Sequence, residues 1–366
     1  MKTKSKLINA TLFISSTIIA LIVAEVTIRK LDLVFLSNRF LMYSSPTFLL
    51  DKNGAIRYFP NAHIRSVAVY DGEIEYDFQF YTNNIGFIDY RDYEEINDGN
   101  GKENYAFIGD SFTTGHGVGP WVPALRDRIH AINNNIEIYN LGIDASGIEH
   151  FYRLLKSSKK QLEFTYIVIL AISNDFYRKF EYPLTYNNEI RFCQESLKIS
   201  ECSKQPYAIR IIDFNSSEKE ILDIAQIMKE SGEQYKDNRT RKWARYLEFS
   251  YIWRLTKHIL TTKYKYSRDD VLVQQSLTSL KNIKELFPDT EIYLIHLPEK
   301  GEVARQRYLF DIGQDIESIG ISYFPALKEC DWSKDMFFSK DAHPNKIGYV
   351  NISDCVSDYL FGVSNK

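Results

Sequence analysis

Beyond residue 101, the spacing of hydrophobic positions alternates between stretches typical of strands and stretches typical of helices. Strands are predicted at residues 105–108, 136–139, 166–172, 291–296 and 320–324, and helices at 121–132, 271–287 and 302–318. Residues 166–172 form a continuous apolar run, which is typical of a strand covered on both faces. The alternation predicts an α/β domain with a parallel sheet, in which ligands bind beyond the carboxyl ends of the strands.

The region before this domain shows a different pattern. Residues 31–60 have little periodicity and are interpreted as a linker, whereas residues 66–70 and 76–80 alternate as in a small β-layer or edge strands. The segment Asp-Gly-Asn-Gly at 98–101 is interpreted as a flexible junction. We therefore predict three parts: residues 1–30, a lead-in over residues 31–101, and a main domain over residues 102–366.

A long interruption of the α/β pattern, at about residues 178–270, separates the third predicted strand from the fourth. It contains a capping box that begins at Ser217 and a predicted helix over residues 241–260 that is rich in aromatic and basic residues. Two interpretations remain open: a lid or substrate platform, and an insertion that only packs against the core.

The first thirty residues contain Lys2, Lys4 and Lys6, followed by an uncharged stretch over residues 7–24. Eighteen helical residues span about 27 Å, which is barely enough to cross a bilayer core. Cleavage at the end of this stretch would put Ile22 at the third position before the cut, where a signal peptide needs a small residue. An uncleaved anchor therefore fits better than a signal peptide or a buried helix. The basic flank predicts an inside amino terminus and an extracytoplasmic remainder.

Composition excludes several classes of function. Lys and Arg number 45 against 48 Asp and Glu, giving a net charge of -3, so nucleic-acid binding is not expected. The four cysteines form no CxxC pair, and neither a metal site nor a cofactor is expected. In an exported chain they would form disulfides, and of three connectivities we predict Cys193–Cys202 and Cys330–Cys355, which close short loops.

Four short segments carry candidate chemistry, three of them directly after predicted strands. Residues 109–112 place Ser111 at a strand-to-helix turn, and residues 140–147 form a turn of small residues whose backbone N–H groups can approach a ligand. Asn174 follows the buried strand and can donate to an oxyanion, and residues 341–345 contain Asp341 and His343. Taken singly, each segment is equally typical of a helix cap, a turn or a surface loop.

Taken together and in this order, the four segments resemble the SGNH (GDSL) hydrolase family over residues 104–362, with the insertion excepted. The resemblance implies a flavodoxin-like sheet and a catalytic triad of Ser111, His343 and Asp341. It also implies an oxyanion hole formed by the Ser111 N–H, an N–H at Ala145 or Gly147, and the Asn174 side chain. The segment Asn-x-x-Gly-Phe from residue 83 is similar to the lead-in of membrane-anchored members.

Two departures from the family pattern stand out. The family's aspartate usually lies three residues before its histidine, whereas Asp341 lies two before His343, so Asp335 and Asp331 remain alternatives. The family's turn glycine falls near Ala145 or Gly147, and the sequence does not distinguish them. His116 and His150 lie near these segments, but no spacing gives either a role, and both are interpreted as packing or surface residues.

The resemblance predicts a membrane-tethered esterase that removes O-acyl groups, O-acetyl foremost, from an exported or cell-surface glycan. The alternatives are an O-acetyltransferase with the same triad, a lipid esterase or lysophospholipase, and an inactive glycan-binding module. The expected partners are the acylated substrate and the membrane, and the sequence indicates no particular protein partner.

Overall fold

The computed structural model describes residues 2–30, 39–93, 101–159, 164–195, 199–202, 208–230 and 270–363, with isolated positions between 250 and 256. The strands are β1 Arg39–Ser44, β2 Phe48–Leu50, β3 Ile56–Tyr58, β4 His63–Tyr70, β5 Glu73–Tyr81, β6 Glu103–Gly109, β7 Ile136–Asn140, β8 Tyr166–Ile172, β9 Tyr182–Tyr186, β10 Glu189–Cys193, β11 Ala208–Ile212, β12 Glu291–Leu297 and β13 Ser322–Pro325. The α-helices are α1 Lys2–Lys30, α2 Ser111–Thr114, α3 Trp121–Ile132, α4 Ile148–Ser158, α5 Ile199–Cys202, α6 Glu218–Glu230, α7 Val271–Leu286, α8 Lys300–Arg305, α9 Gly313–Ser318, α10 Ala326–Glu329 and α11 Lys346–Phe361.

A parallel sheet of five strands forms the centre of the main domain, in the order β7-β6-β8-β12-β13. Numbered along the domain this order is 2-1-3-4-5, the flavodoxin-like order. Side chains of β8 alternate between two layers: Ile167 and Ile169 pack with the layer of α4 and α7, whereas Val168 and Leu170 pack with α3 and α11. The predicted α/β class and doubly covered strand are confirmed.

A second sheet joins the lead-in to the insertion, in the order β5-β4-β1-β11-β10-β9. Its central junction is the parallel pairing of β1 with β11, in which Met42 lies opposite Arg210. We call this six-stranded sheet the accessory sheet. The predicted strands at 66–70 and 76–80 are present as parts of β4 and β5, but the interpretation of residues 31–60 as a linker is wrong, because β1, β2 and β3 lie there.

Residues 83–93 connect the lead-in to the main domain through buried contacts. The Asn83 side chain accepts backbone hydrogen bonds that close its turn. Gly86 has φ of +85°, and a Cβ there would lie 2.2 Å from the carbonyl oxygen of Tyr58, so only glycine fits. Asp89 then forms a buried ion pair with Arg126 of α3 at 2.6 Å. The Asn-x-x-Gly-Phe motif is therefore a joint between lead-in and main domain.

One predicted helix, over 302–318, differs from the structure. The predicted helix over 302–318 is two short helices, α8 and α9, because the chain turns at Gln306, which has φ of +51°. The segment between them is held by Tyr308, whose hydroxyl donates to the carbonyl of His296 and accepts from the N–H of Leu327. The predicted helix over 241–260 lies outside the described residues except at isolated positions.

The predicted disulfides are present as Cys193–Cys202 and Cys330–Cys355, with Cα separations of 5.5 and 6.0 Å. Helix α1 contains an 18-residue window, Thr11–Ile28, with mean hydropathy 2.1 and none of it buried. A helix of this length and composition is able to cross a membrane, and both an anchor and a signal sequence take this form.

Candidate active site

The segment that contains Ser111 forms a tight turn between β6 and α2. Asp110 caps the helix, since its Oδ1 accepts from the N–H of Phe112 at 2.9 Å. A Cβ on Gly109 would lie 2.0 Å from Thr113 Oγ1 and 2.4 Å from the carbonyl oxygen of Leu170, so the strand end has no room for a side chain. The turn places Ser111, which is 5% exposed, at the carboxyl end of the central parallel strands.

Ser111, His343 and Asp341 form a hydrogen-bonded chain, although 230 residues separate the serine from Asp341 in sequence. The distance from Ser111 Oγ to His343 Nε2 is 2.8 Å, and that from His343 Nδ1 to Asp341 Oδ1 is 2.5 Å. With the proton on Nδ1, the imidazole donates to the carboxylate and accepts from the serine hydroxyl. This is the geometry in which a histidine removes the proton of an attacking serine.

Asp341 is 1% exposed and has several partners. Tyr70 donates its hydroxyl to Asp341 Oδ2 at 2.8 Å, and Arg39 lies 3.7 Å from the same oxygen. Burial alone would raise the pKa of Asp341, but His343 and Arg39 hold it well below its usual value. The carboxylate is therefore ionised and oriented. Among the described residues, Asp335 and Asp331 form no hydrogen bond or ion pair with His343; their backbone carbonyls accept from Asn345 and Asn351.

The two candidate turn residues occupy different environments. Ala145 has φ of +60°, is exposed, and lines the cavity beside Ser111. Gly147 is buried at the start of α4, and a Cβ there would lie 2.8 Å from the carbonyl oxygen of Asp175. Gly147 is thus required by packing, whereas Ala145 lines the cavity.

Asn174 lies in the 3₁₀ turn Ser173–Tyr177 that directly follows β8. The side chain is partly exposed and forms no hydrogen bond with another residue in the described part of the chain. Its neighbours Tyr177 and Arg178 line the cavity around Ser111. The structure thus brings Asn174 to the same sheet edge as Ser111, with an amide that is accessible to solvent.

A cavity of about 540 Å³ opens above Ser111. The main domain contributes Ser111, His116, Asp144, Ala145, Tyr177, Leu272 and His343, the lead-in contributes Arg39, Leu41, Tyr43 and Phe48, and the insertion contributes Arg178, Lys179, Glu181, Phe192 and Ile209. The accessory sheet therefore forms one wall of the cavity. Its lining mixes aromatic rings with charged groups.

Several residues to which the sequence gave no functional role lie in contact with the site. Arg178 bridges two buried carboxylates, with Nη1 at 2.9 Å from both Asp110 and Asp175. His116, interpreted as a packing or surface residue, is 2% exposed and lies beside His343, with ring centroids 4.6 Å apart. The signal for His116 was its place in the Gly-His-Gly segment that follows Ser111, but the sequence does not show what it contacts.

His150 has a packing role, as expected. Its Nε2 lies 3.0 Å from the N–H of Ile56 and 3.1 Å from the carbonyl oxygen of the same residue. Burial lowers the pKa of His150 to about 4. Within the described residues, no group of three or more His, Cys, Asp or Glu side chains is arranged to hold a metal ion.

Residues 105–356 match the family described as GDSL-like Lipase/Acylhydrolase. The chain belongs to this family. It is accordingly an SGNH/GDSL-type hydrolase, as the sequence predicts, and the match includes all four candidate segments. The matched residues begin after the lead-in, so β1 to β5 lie outside them.

Solved structures similar to this chain include three hydrolases of low identity. An acetyl xylan esterase from Geobacillus stearothermophilus is 14% identical, covering 73% of this chain and 97% of that chain, with a TM-score of 0.36. A lipase/acylhydrolase from Enterococcus faecalis is 12% identical, covering 71% and 96%, with a TM-score of 0.33. A lipolytic G-D-S-L family protein from Veillonella parvula is 12% identical, covering 71% and 98%, with a TM-score of 0.35. The search of curated proteins gave no significant match.

Proposed function

We propose that this chain is a membrane-tethered serine esterase that hydrolyses O-acyl groups, O-acetyl foremost, on an exported or cell-surface glycan. The observation that carries the proposal is the chain of hydrogen bonds from Ser111 through His343 to Asp341 at the wall of the cavity. A serine hydroxyl is a weak nucleophile until a neighbouring base takes its proton, and this arrangement supplies that base.

In the proposed reaction, Ser111 Oγ attacks the acyl carbon of the ester while His343 Nε2 takes the hydroxyl proton. The imidazolium that results is stabilised by the ionised Asp341 and returns the proton to the departing sugar oxygen. Water, deprotonated by His343, then attacks the acyl-enzyme and releases the acid and free Ser111.

The developing oxyanion needs hydrogen-bond donors that are already in place. We assign this role to the backbone N–H groups of Ser111 and Ala145 and to the side-chain amide of Asn174. Ala145 is preferred to Gly147 because Ala145 lines the cavity and Gly147 packs against Asp175 and Arg178. A backbone N–H donor is the same in alanine as in glycine, so the departure from the family's glycine leaves the donor intact.

The glycan assignment rests on the cavity and on the anchor. The aromatic residues Phe48 and Phe192 line the cavity together with the charged residues Arg39, Lys179 and Glu181. Aromatic faces suit the C–H faces of sugar rings, and charged groups suit hydroxyl rims. As an anchor, residues 1–30 would hold the rest of the chain on the extracytoplasmic side of the membrane, where such glycans are found. That part comprises the lead-in (31–101) and the hydrolase domain (102–366).

Ester hydrolysis by the full-length chain tests the proposal. Wild type should cleave nitrophenyl acetate and release acetate from acetylated polysaccharide, and it should be labelled by a fluorophosphonate. Ser111→Ala should abolish labelling and lower turnover by about 10⁴-fold or more, whereas exposed Ser318→Ala serves as the matched control. Labelled Ser111 with acyl transfer to an added sugar would indicate a transferase, and preference for phospholipid would indicate a lipid esterase.

A reporter fused after Lys366 tests the location. The proposal predicts reporter activity outside the cytoplasm only, because the basic residues before the apolar stretch favour an inside amino terminus. Reporter activity in the cytoplasm would contradict the proposed topology.

A further inference from the structure

A second imidazole–carboxylate pair, His116 and Asp144, is buried next to the proposed triad. His116 is 2% and Asp144 is 5% exposed, and His116 Nδ1 lies 2.9 Å from Asp144 Oδ2. The His116 ring contacts that of His343, with centroids 4.6 Å apart and planes tilted by 41°. Both residues also line the cavity above Ser111.

Asp144 accepts hydrogen bonds from three side chains, one in the lead-in and two in the segment that follows Ser111. Tyr43 donates its hydroxyl to Oδ2 at 2.6 Å, Thr114 donates to Oδ1 at 2.7 Å, and His116 is the third donor. Burial would raise the pKa of Asp144, but His116, Tyr43 and Thr114 lower it, so the carboxylate is ionised. His116 therefore carries a proton on Nδ1, and its Nε2 lies 2.6 Å from the hydroxyl of Tyr76.

This network connects the two segments that carry Ser111 and Ala145, which are both assigned roles in the proposed reaction. Thr114 belongs to α2, which begins at Ser111, and Asp144 directly precedes Ala145 in the turn with φ of +60°. A non-glycine residue in the left-handed region carries a conformational cost and persists there only when its surroundings hold it. The three bonds to Asp144 hold the residue that directly precedes Ala145.

The outer half of the network comes from the lead-in. Tyr43 lies on β1 and Tyr76 on β5, and Tyr58 on β3 accepts from the backbone N–H of Asp144 at 3.1 Å. All three precede residue 105, where the match to the hydrolase family begins. The lead-in therefore takes part in the active site and is more than a spacer between the membrane and the enzyme.

We propose that His116 and Asp144 are positioning residues for the hydrolytic site: held by Tyr43, Tyr58 and Tyr76, they fix the Ala145 turn and support the ring of His343. The proposal rests on the proposed function, since it assigns a role relative to Ser111 and His343. Neither residue takes part in a bond-making step.

The test compares Asp144→Ala, Asp144→Asn and His116→Phe in the full chain, with nitrophenyl acetate turnover and the rate of fluorophosphonate labelling of Ser111 as readouts. Asp144→Ala removes all three bonds, whereas Asn keeps the acceptor for Thr114 and offers an amide to the other tautomer of His116. His116→Phe keeps an aromatic ring at this position but loses the hydrogen bonds to Asp144 and Tyr76.

Misplacement of a catalytic group by about 1 Å costs about 100-fold in rate. We therefore expect Asp144→Ala and His116→Phe to lower kcat and the labelling rate by about 100-fold with little change in KM. Asp144→Asn should have a kcat and a labelling rate about 10-fold higher than Asp144→Ala, because a positioning role depends on hydrogen-bond geometry. Tyr76→Phe should lower kcat by a smaller factor, whereas Tyr81→Phe, an exposed site on the same strand, should not.

The outcomes separate the two proposals. If wild-type Ser111 is not labelled, the proposed serine chemistry fails and this inference falls with it. If Ser111 is labelled and a folded Asp144→Ala labels at the wild-type rate, only this inference is overturned. It is also overturned if Asn is as inactive as Ala, or if KM rises while kcat is unchanged. Should Asp144→Ala not fold, His116→Phe and Tyr76→Phe decide by the same criteria.

Discussion

The parallel sheet and the accessory sheet differ in what they contribute to the site. The parallel sheet places Ser111, Ala145 and Asn174 at its carboxyl edge, in the segments that follow β6, β7 and β8. The accessory sheet contributes tyrosine hydroxyls and one wall of the cavity. The groups proposed to react therefore lie in short contiguous motifs, whereas the groups that hold them are scattered along β1, β4 and β5 of the accessory sheet and β3 of the two-stranded sheet.

This difference suggests a division of labour. Changes in the parallel sheet's motifs should affect the chemical step directly, and changes in the accessory sheet should act through geometry or substrate binding. Four predictions test that division, in order of decreasing expected effect.

Asp341→Asn should have the largest effect, a fall in kcat of about 10⁴-fold. The neutral amide cannot hold the Nδ1–H tautomer of His343, so the imidazole no longer accepts the proton of Ser111. Turnover of nitrophenyl acetate measures the change, and Asp335→Asn, an exposed alternative in the same loop, is the control. If Asp335→Asn were the inactive variant, the assignment of Asp341 would be wrong.

The contrast between contiguous and scattered residues also explains what the sequence could predict. Helix α3 and strand β8 were predicted with their observed bounds, because local periodicity and flanking residues determine them. Strand β1 was missed because its residues do not alternate between apolar and polar: it lies between β4 and β11 in the accessory sheet and is largely buried. The order of four motifs predicted that Ser111 and His343 act together, but no local pattern links Tyr70 to Asp341 or Tyr43 to Asp144.

The long predicted helix over 302–318 failed for a related reason. The helical spacing of apolar residues does correspond to a helix in each half, α8 and α9. Between them, the hydroxyl of Tyr308 forms hydrogen bonds with the backbone of His296 and Leu327. These tertiary hydrogen bonds keep the intervening residues out of a helix. Propensity is a weak signal where such contacts compete with it.

The two disulfides, one in each region, should differ in their functional effect. Replacing either pair by serine should cost about 3 kcal/mol in the free energy of unfolding on the loop-entropy model. Loss of Cys193–Cys202 should also raise KM, because Cys193 adjoins Phe192 at the cavity. Loss of Cys330–Cys355 should leave KM unchanged. Denaturant unfolding and steady-state kinetics measure both, and four free thiols in the unreduced protein would contradict the pairing.

Tyr70→Phe tests whether the accessory sheet acts on the triad. The variant keeps the buried ring and removes only the hydroxyl that donates to Asp341 Oδ2 at 2.8 Å. A hydrogen bond to a charged group contributes about 1.5–3 kcal/mol, and part of it should appear as a fall in kcat of about 10-fold. Tyr186→Phe, at an exposed position of the same sheet, should have the wild-type kcat. An unchanged kcat for Tyr70→Phe would show that Arg39 and His343 suffice to orient Asp341.

The smallest effect concerns Ala145, where the two regions meet. Its φ of +60° places an alanine in the left-handed region, at a cost of about 1–2 kcal/mol that glycine avoids. Glycine also makes the unfolded chain more flexible, which offsets part of the gain. Ala145→Gly should therefore raise the free energy of unfolding by about 0.5–1 kcal/mol.

The same substitution at Ala131, an exposed helical position in α3, should lower that free energy by about 1 kcal/mol. Opposite signs at the two positions would show that the left-handed conformation of Ala145 exists in solution. Activity separates two explanations of how the turn is held. If the bonds to Asp144 fix it, Ala145→Gly keeps the wild-type kcat, because those bonds are made by the neighbouring residue and do not depend on the Ala145 side chain. If the Ala145 methyl group itself limits the turn, the glycine variant gains stability but loses activity, and the network around Asp144 is not what positions the donor.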